Sequence, residues 1–235
     1  MVFSARHMLS LAIALPLCGL AACQAPEQSV KPGINDPFLE ATAEDVETFV
    51  GIFEGESREI AAAQDGILAA LNIQPGMEIG DIGAGTGLYE PMFQEAVGDD
   101  GTVFAVDLSP AMIEHLKQRV AEENLDRVKV VQCSATNCGL DPGSVDLIYV
   151  CDTYHHFEYP QTTLRSIYLA LRPGGTLAIV DFERIEGESR PWILKHMRAG
   201  KEVFRAEIEK AGFEFIEEPK VDGLKENYLM LFRRP

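Results

Sequence analysis

The sequence predicts an α/β fold, a mainly parallel sheet with helices on both faces. Three observations carry this. Short apolar runs alternate with segments whose apolar residues recur every three or four positions. The run Glu78-Ile79-Gly80-Asp81-Ile82 collapses into Gly83-Ala84-Gly85-Thr86-Gly87, with glycines at alternate positions. About twenty residues further on, Val103-Phe104-Ala105-Val106 ends in Asp107, where a doubly wound fold places a ribose-binding carboxylate. A strand entering a glycine turn and then a helix brings backbone N–H groups close to a ligand.

The elements follow in order. Segments 44–53 and 58–71 have helical apolar spacing, and Pro75-Gly76 ends the second. Strand one covers 77–82, a helix 87–97, and strand two 102–108. Ser109 is placed to cap the next helix, with Pro110 at its first position, and that helix runs to about Glu123. Strand three is 128–132. The turn Asp141-Pro142-Gly143-Ser144 leads into a buried strand four, 145–150. A helix over 161–171 is broken by Pro173-Gly174-Gly175, and strand five is 176–182. A helix over 202–211 ends at Gly212. Segments 213–217 and 227–232 are two last strands, joined by a short loop and so antiparallel neighbours.

The amino terminus has a different character. Arg6 and His7 form a short basic region, and Met8 to Leu17 an apolar stretch too brief to span a bilayer. Leu20-Ala21-Ala22-Cys23 resembles the lipobox of bacterial lipoproteins. That resemblance implies a signal peptide over 1–22, a lipid anchor on Cys23 and export to the periplasmic face of a membrane. Residues 23–40, with Pro26, Pro32, Gly33 and Pro37, are expected to be a flexible tether to a domain over 41–235.

The formal net charge of −17 argues against nucleic acid as a partner and against broad contact with anionic lipid. Membrane contact is therefore expected only through the anchor. Beyond the signal, Cys133, Cys138 and Cys151 are an odd number and cannot all pair internally; a Cys133–Cys138 bridge stays open.

Four segments in order resemble class I S-adenosylmethionine-dependent methyltransferases. They are Asp81 to Gly87, Ala105-Val106-Asp107-Leu108-Ser109, Ser144-Val145-Asp146-Leu147-Ile148, and Leu171-Arg172-Pro173-Gly174-Gly175-Thr176-Leu177. The resemblance implies a Rossmann-like seven-stranded sheet of order 3-2-1-4-5-7-6 with strand seven antiparallel. It implies S-adenosylmethionine as cofactor. Asp81, Gly83, Ala84, Gly85 and Gly87 would cradle its methionine part and Asp107 would accept from both ribose hydroxyls. Leu108 and Met112 would pack on the adenine. Two departures stand out. Ser134, beside Ala135, occupies the place of an acid that commonly accepts from the adenine amino group, and Gly80 replaces a bulkier strand residue, which is expected to loosen strand one.

Ligands in such sheets bind beyond the carboxyl ends of the strands. Cys151 to Phe157, Asp181 to Arg184 and Trp192 to Lys201 emerge there. His155 is the first choice for a general base, His156 for a structural hydrogen bond. Tyr154, Trp192, His196 and Arg198 are candidates to line an acceptor pocket, with Tyr154 and His196 taken as catalytic. Asp152 is assigned to the cofactor's amino acid end rather than to a metal shared with His155 and His156, so no metal is expected. Thiolates at the three cysteines would suit a soft acceptor such as a metalloid, but buried cysteine as a small hydrophobe is commoner. The expected function is methyl transfer to an unidentified small-molecule acceptor. The rivals are a non-catalytic ligand-binding lipoprotein on the same scaffold and, more remotely, an NAD-dependent oxidoreductase, which would lack the Leu-Arg-Pro-Gly-Gly segment. The sequence gives no oligomeric state.

Overall fold

The computed structural model describes residues 26–55 and 58–235. The segment expected to be a signal peptide, 1–22, and Cys23 lie outside the described residues. Seven strands form one sheet: β1 Glu78–Ile82, β2 Thr102–Asp107, β3 Val128–Gln132, β4 Val145–Cys151, β5 Leu171–Phe182, β6 Glu214–Glu217 and β7 Asn227–Arg233. Their order is β3-β2-β1-β4-β5-β7-β6, as expected. The first five run parallel, and β7 is antiparallel to both β5 and β6.

Side chains alternate across the sheet. In β4, Ile148 and Val150 enter one core while Leu147 and Tyr149 enter the other. In β7, Met230 and Phe232 face the first and Leu229 and Leu231 the second. Both faces are covered, so the buried stretches 147–150 of β4 and 228–232 of β7 are apolar without polar alternation. Each fully buried Leu, Ile or Phe contributes roughly 1.5–3 kcal/mol.

The helices are α1 Asp36–Leu39, α2 Ala43–Phe53, α3 Glu59–Ala62, α4 Gln64–Leu71, α5 Glu90–Val97, α6 Pro110–Glu122, α7 Pro160–Ala170, α8 Pro191–His196 and α9 Lys201–Lys210. Ser109 caps α6 as expected, accepting from Met112 N. Among the described residues no helix is long and apolar enough to cross a membrane.

Several expectations are corrected. The helix expected over 58–71 is two, because Ala63 leaves helical geometry at φ −100°, ψ 14°. The helix expected from Gly87 begins at Glu90, since Gly87 has φ +90°. Strand five begins at Leu171, and Pro173 to Gly175 bulge between its pairing with Val145 and the resumed ladder at Leu147. Gly80 does not loosen β1: a Cβ there would stand 2.8 Å from Leu140 Cδ1, so Leu140 already fills that space.

The stretch read as a tether is docked from Glu27 onward. The Glu27 carboxylate accepts from Gln161 N at 3.0 Å and Thr162 N at 2.7 Å, capping the start of α7. Val30 N donates to Glu158 O, Lys31 Nζ to His196 O at 2.7 Å, and Asn35 Nδ2 to His156 O at 3.1 Å. The Ser109 hydroxyl donates to Phe38 O at 2.7 Å. Its few apolar residues suggest flexibility, but its polar groups find partners on the domain.

Candidate active site

A cavity of about 720 Å³ opens beyond the carboxyl ends of β1, β2, β4 and β5. The glycine loop bounds one end. Gly83 N and Ala84 N donate to Val106 O, which ties the loop to β2. Asp107 continues the tie: Oδ2 accepts from Gly85 N at 3.0 Å and Oδ1 from Ser109 N at 2.8 Å. A carboxylate has about four lone-pair directions, so acceptor capacity remains. Burial raises the Asp107 pKa against these N–H donors. At Gly83, φ is +79° and a Cβ would lie 2.3 Å from Thr153 Cγ2, so only glycine fits there. Asp81, Gly83, Ala84, Gly85, Asp107, Leu108 and Met112 line the cavity.

Behind Asp81 lies Glu90, and both are buried. Burial raises the pKa of both, Glu90 to about 7, and the Glu90 charge raises Asp81 further.

Asp152 takes left-handed backbone geometry, φ +46°, at the end of β4. Its carboxylate pairs with Arg58 and accepts from Asn227 Nδ2 at 2.6 Å. Burial raises it to about 7, opposed by the Arg58 charge.

The far end is aromatic and rich in imidazole. The short 3-10 turn Tyr154–His156 presents His155 to the cavity. Its Nδ1–H donates to Asp181 Oδ1 at 2.8 Å, which leaves Nε2 as the lone-pair nitrogen. That tautomer is assigned from the carboxylate partner. Asp181 also accepts from His155 N and Phe182 N. His155 Nε2 stands 3.0 Å from His196 Nε2. His196 stacks on Trp192 at 4.8 Å and 14°, and Trp192 meets Phe182 edge-on. Burial lowers His155 to about 3, helped by the Arg198, Lys31 and Arg58 charges, and lowers His156 to about 2 and His196 to about 4, helped by the neighbouring imidazoles and Lys31. Burial raises Asp181 to about 7, opposed by its two backbone donors.

The cavity thus joins Asp81, Gly83, Ala84, Gly85, Asp107, Leu108, Met112, Asp152, His155 and His196, all expected from sequence, whereas Gly87 does not line it and faces Leu116 and Arg119 of α6. Three further expectations are corrected. Tyr154 points into the core: its ring packs on Phe157 and Phe204, and its hydroxyl donates to Glu207 at 3.0 Å. Arg198 is buried in an ion pair with Glu207 and does not line the cavity. Ser134 and Ala135 do not line it either, because a tight Ser134–Asn137 turn carries them outward after β3. The preference for cysteine as a small hydrophobe over thiolate chemistry stands: Cys133, Cys138 and Cys151 are free thiols, and burial raises Cys133 to about 12 and Cys151 well above the usual range.

Sequence reasoning missed Arg58, Asn227, Asn35 and Phe38, which carry no motif. It quoted Asp181 only as part of a strand-end segment, and that position was its signal.

The fold is the one seen in solved S-adenosylmethionine-dependent methyltransferases. Residues 80–179 match the methyltransferase domain family. A demethylmenaquinone methyltransferase of Geobacillus sp. (strain WCH70) is 27% identical over 111 residues, 47% of each chain. The chain spans about half the length of the curated relatives it matches. A S-adenosylmethionine-dependent methyltransferase from Aquifex aeolicus superposes with TM-score 0.72 at 22% identity, covering 83% of this chain and 100% of that one. Phosphoethanolamine N-methyltransferase 2 of Haemonchus contortus, solved with S-adenosylmethionine, gives TM-score 0.63 at 23% identity over 79% of this chain and 45% of that one. The residues present fit the cofactor: the Cβ-free cradle at Gly83 and the spare acceptor capacity of Asp107 face the same space.

Proposed function

We propose that this protein transfers a methyl group from S-adenosylmethionine to a planar, largely apolar small molecule bound at the aromatic end of the cavity. The observation that carries this is continuity: one space runs from Gly83 and Asp107 to His155, Phe182 and Trp192. The acceptor end is built mostly outside the matched region, since Phe38, Phe182, Trp192 and His196 fall beyond residues 80–179. The acceptors named for the relatives therefore do not carry over, and the aromatic lining is the guide.

The cofactor, when bound, supplies an electrophilic methyl group on a sulfonium. The chain's own task is to hold a nucleophile in line with it and manage a proton. Asp107 and the loop hold the nucleoside end. The Arg58–Asp152–Asn227 cluster borders the middle of the cavity. His155 Nε2, with Nδ1–H fixed by Asp181, is a neutral lone pair facing the acceptor end and is the group placed to receive a proton.

Calorimetric titration of the full chain in detergent with S-adenosylhomocysteine tests this. Micromolar binding that disappears in Asp107→Ala supports the assignment. No binding by a folded wild type overturns it and favours a non-catalytic binding protein.

The reading of the amino terminus as an export signal with a lipid on Cys23 rests on Leu20-Ala21-Ala22-Cys23 alone. Incorporation of a fatty-acid analogue by wild type but not by Cys23→Ser tests it. A label retained in the variant sinks it.

A further inference from the structure

Three imidazoles converge at the acceptor end. His155, His156 and His196 each offer one ring nitrogen, and these atoms lie within 4.8 Å of one another. All three residues line the cavity. We propose that they form a site for a divalent late transition metal of the zinc type, its fourth position open to the cavity.

The donor set selects the metal class. Imidazoles suit zinc, copper, iron and nickel, whereas magnesium and calcium ask for oxygen. Three protein ligands with one open position is the arrangement of reactive rather than purely structural zinc sites.

The surroundings fit as well. Asp181 accepts from His155 Nδ1–H, leaving Nε2 to ligate, and this carboxylate–histidine pairing is the usual outer support of a metal-bound imidazole. The His155 and His196 Nε2 atoms are 3.0 Å apart. On a tetrahedral ion with bonds of about 2.0–2.1 Å, such nitrogens stand about 3.3 Å apart. The widest pair closes by about 1.5 Å to reach that spacing. His156 Nδ1 is buried without a hydrogen-bond partner, a costly state that ligation through this nitrogen would relieve. Of the cations around the cluster, Arg198 is paired with Glu207 and Arg58 with Asp152. Lys31 Nζ, bonded to the His196 carbonyl, is the cation that opposes metal binding.

The role of the ion rests on the proposed function: when Nε2 of His155 ligates, its lone pair no longer receives a proton, and the ion instead holds the acceptor atom opposite the methyl donor; its binding does not rest on that reading. The two are separated by titrating chelator-stripped full-length protein with Zn(II) and Co(II), with S-adenosylhomocysteine binding measured alongside. One equivalent of Zn(II) should bind, and Co(II) should develop the visible bands of a four-coordinate site. His196→Gln and His156→Gln should each lose those bands with far-UV circular dichroism unchanged. Asp181→Asn should weaken Zn(II) binding by about 10- to 100-fold, and Lys31→Met should strengthen it. Paramagnetic shifts of the three histidine ring signals in wild type give the same answer without a variant. The proposal is overturned if folded wild type takes up no stoichiometric metal, or if the histidine variants bind as wild type does. Cofactor-analogue binding without metal binding removes this site and leaves the methyltransferase reading standing; metal binding without analogue binding does the reverse.

Discussion

His155 Nδ1 lies 2.8 Å from Asp181 Oδ1, and both side chains are sealed from solvent. The carboxylate holds the ring through a side-chain bond and a bond to the His155 backbone N–H. Replacing Asp181 by Asn keeps one acceptor but lets the amide donate, so Nδ1 is no longer compelled to carry the hydrogen. In ¹⁵N-histidine NMR of the metal-free protein, wild-type His155 should show Nε2 as the unprotonated nitrogen, and Asp181→Asn should shift that balance. An unchanged tautomer in the variant would remove Asp181 as the determinant.

Asp107 both closes the loop and faces the ligand. Asp107→Asn retains an acceptor for Gly85 N or Ser109 N but loses the charge. Affinity for S-adenosylhomocysteine should fall by about 10- to 100-fold, the scale of a charge-assisted hydrogen bond. Calorimetry at constant pH reads this directly, and an unchanged affinity would place the ribose elsewhere.

Glu90 provides a test of pH dependence. Its folded pKa is raised by burial from 4.5 to about 7. The folded state therefore holds a proton that the unfolded chain has released between those values, and Glu90's contribution to stability is present below about pH 4.5 and lost as pH rises through 7. Glu90→Gln should raise the melting temperature at pH 8, by the equivalent of about 1–3 kcal/mol, and have a smaller effect at pH 5. Equal gains at both values would contradict a raised pKa.

The docked amino-terminal segment should add measurable stability. Beginning the chain at residue 41 removes the Glu27 cap on α7, the Asn35 and Phe38 side chains of the cavity wall and the Phe38 acceptor for Ser109. Loss of the cap alone costs about 0.5–2 kcal/mol. Thermal melts should place this truncation below a chain beginning at residue 26. Coincident melts would mean that the segment rests on the domain without holding it.

The cofactor end was legible because its contacts are local in sequence or tied to strand order. Gly83 to Gly87 follow β1 directly, and Asp107 ends the neighbouring strand, so a parallel pairing brings them together. Leu108 and Met112 follow for the same reason. Ser134 and Ala135 failed because their place depends on a turn after β3, whose direction a motif does not encode. Tyr154 adjoins His155 in sequence, yet the 3-10 turn sends one ring into the core and the other into the cavity.

The acceptor end depended on long-range closure. His155 and Asp181 are 26 residues apart, and His155 and His196 are 41 apart. Arg58 reaches Asp152 over 94 residues, and Asn35 meets the His156 carbonyl over 121. The sequence by itself determined the α/β class, the glycine loop and its acidic partner, since apolar periodicity and chain-local glycine geometry are written along the backbone, and the order of strands followed from the family resemblance. Only the tertiary structure decided which buried polar groups meet. Burying a carboxylate or an imidazole requires a particular partner at a particular distance, and which one arrives is set by the packing of helices and strands that are distant in the chain.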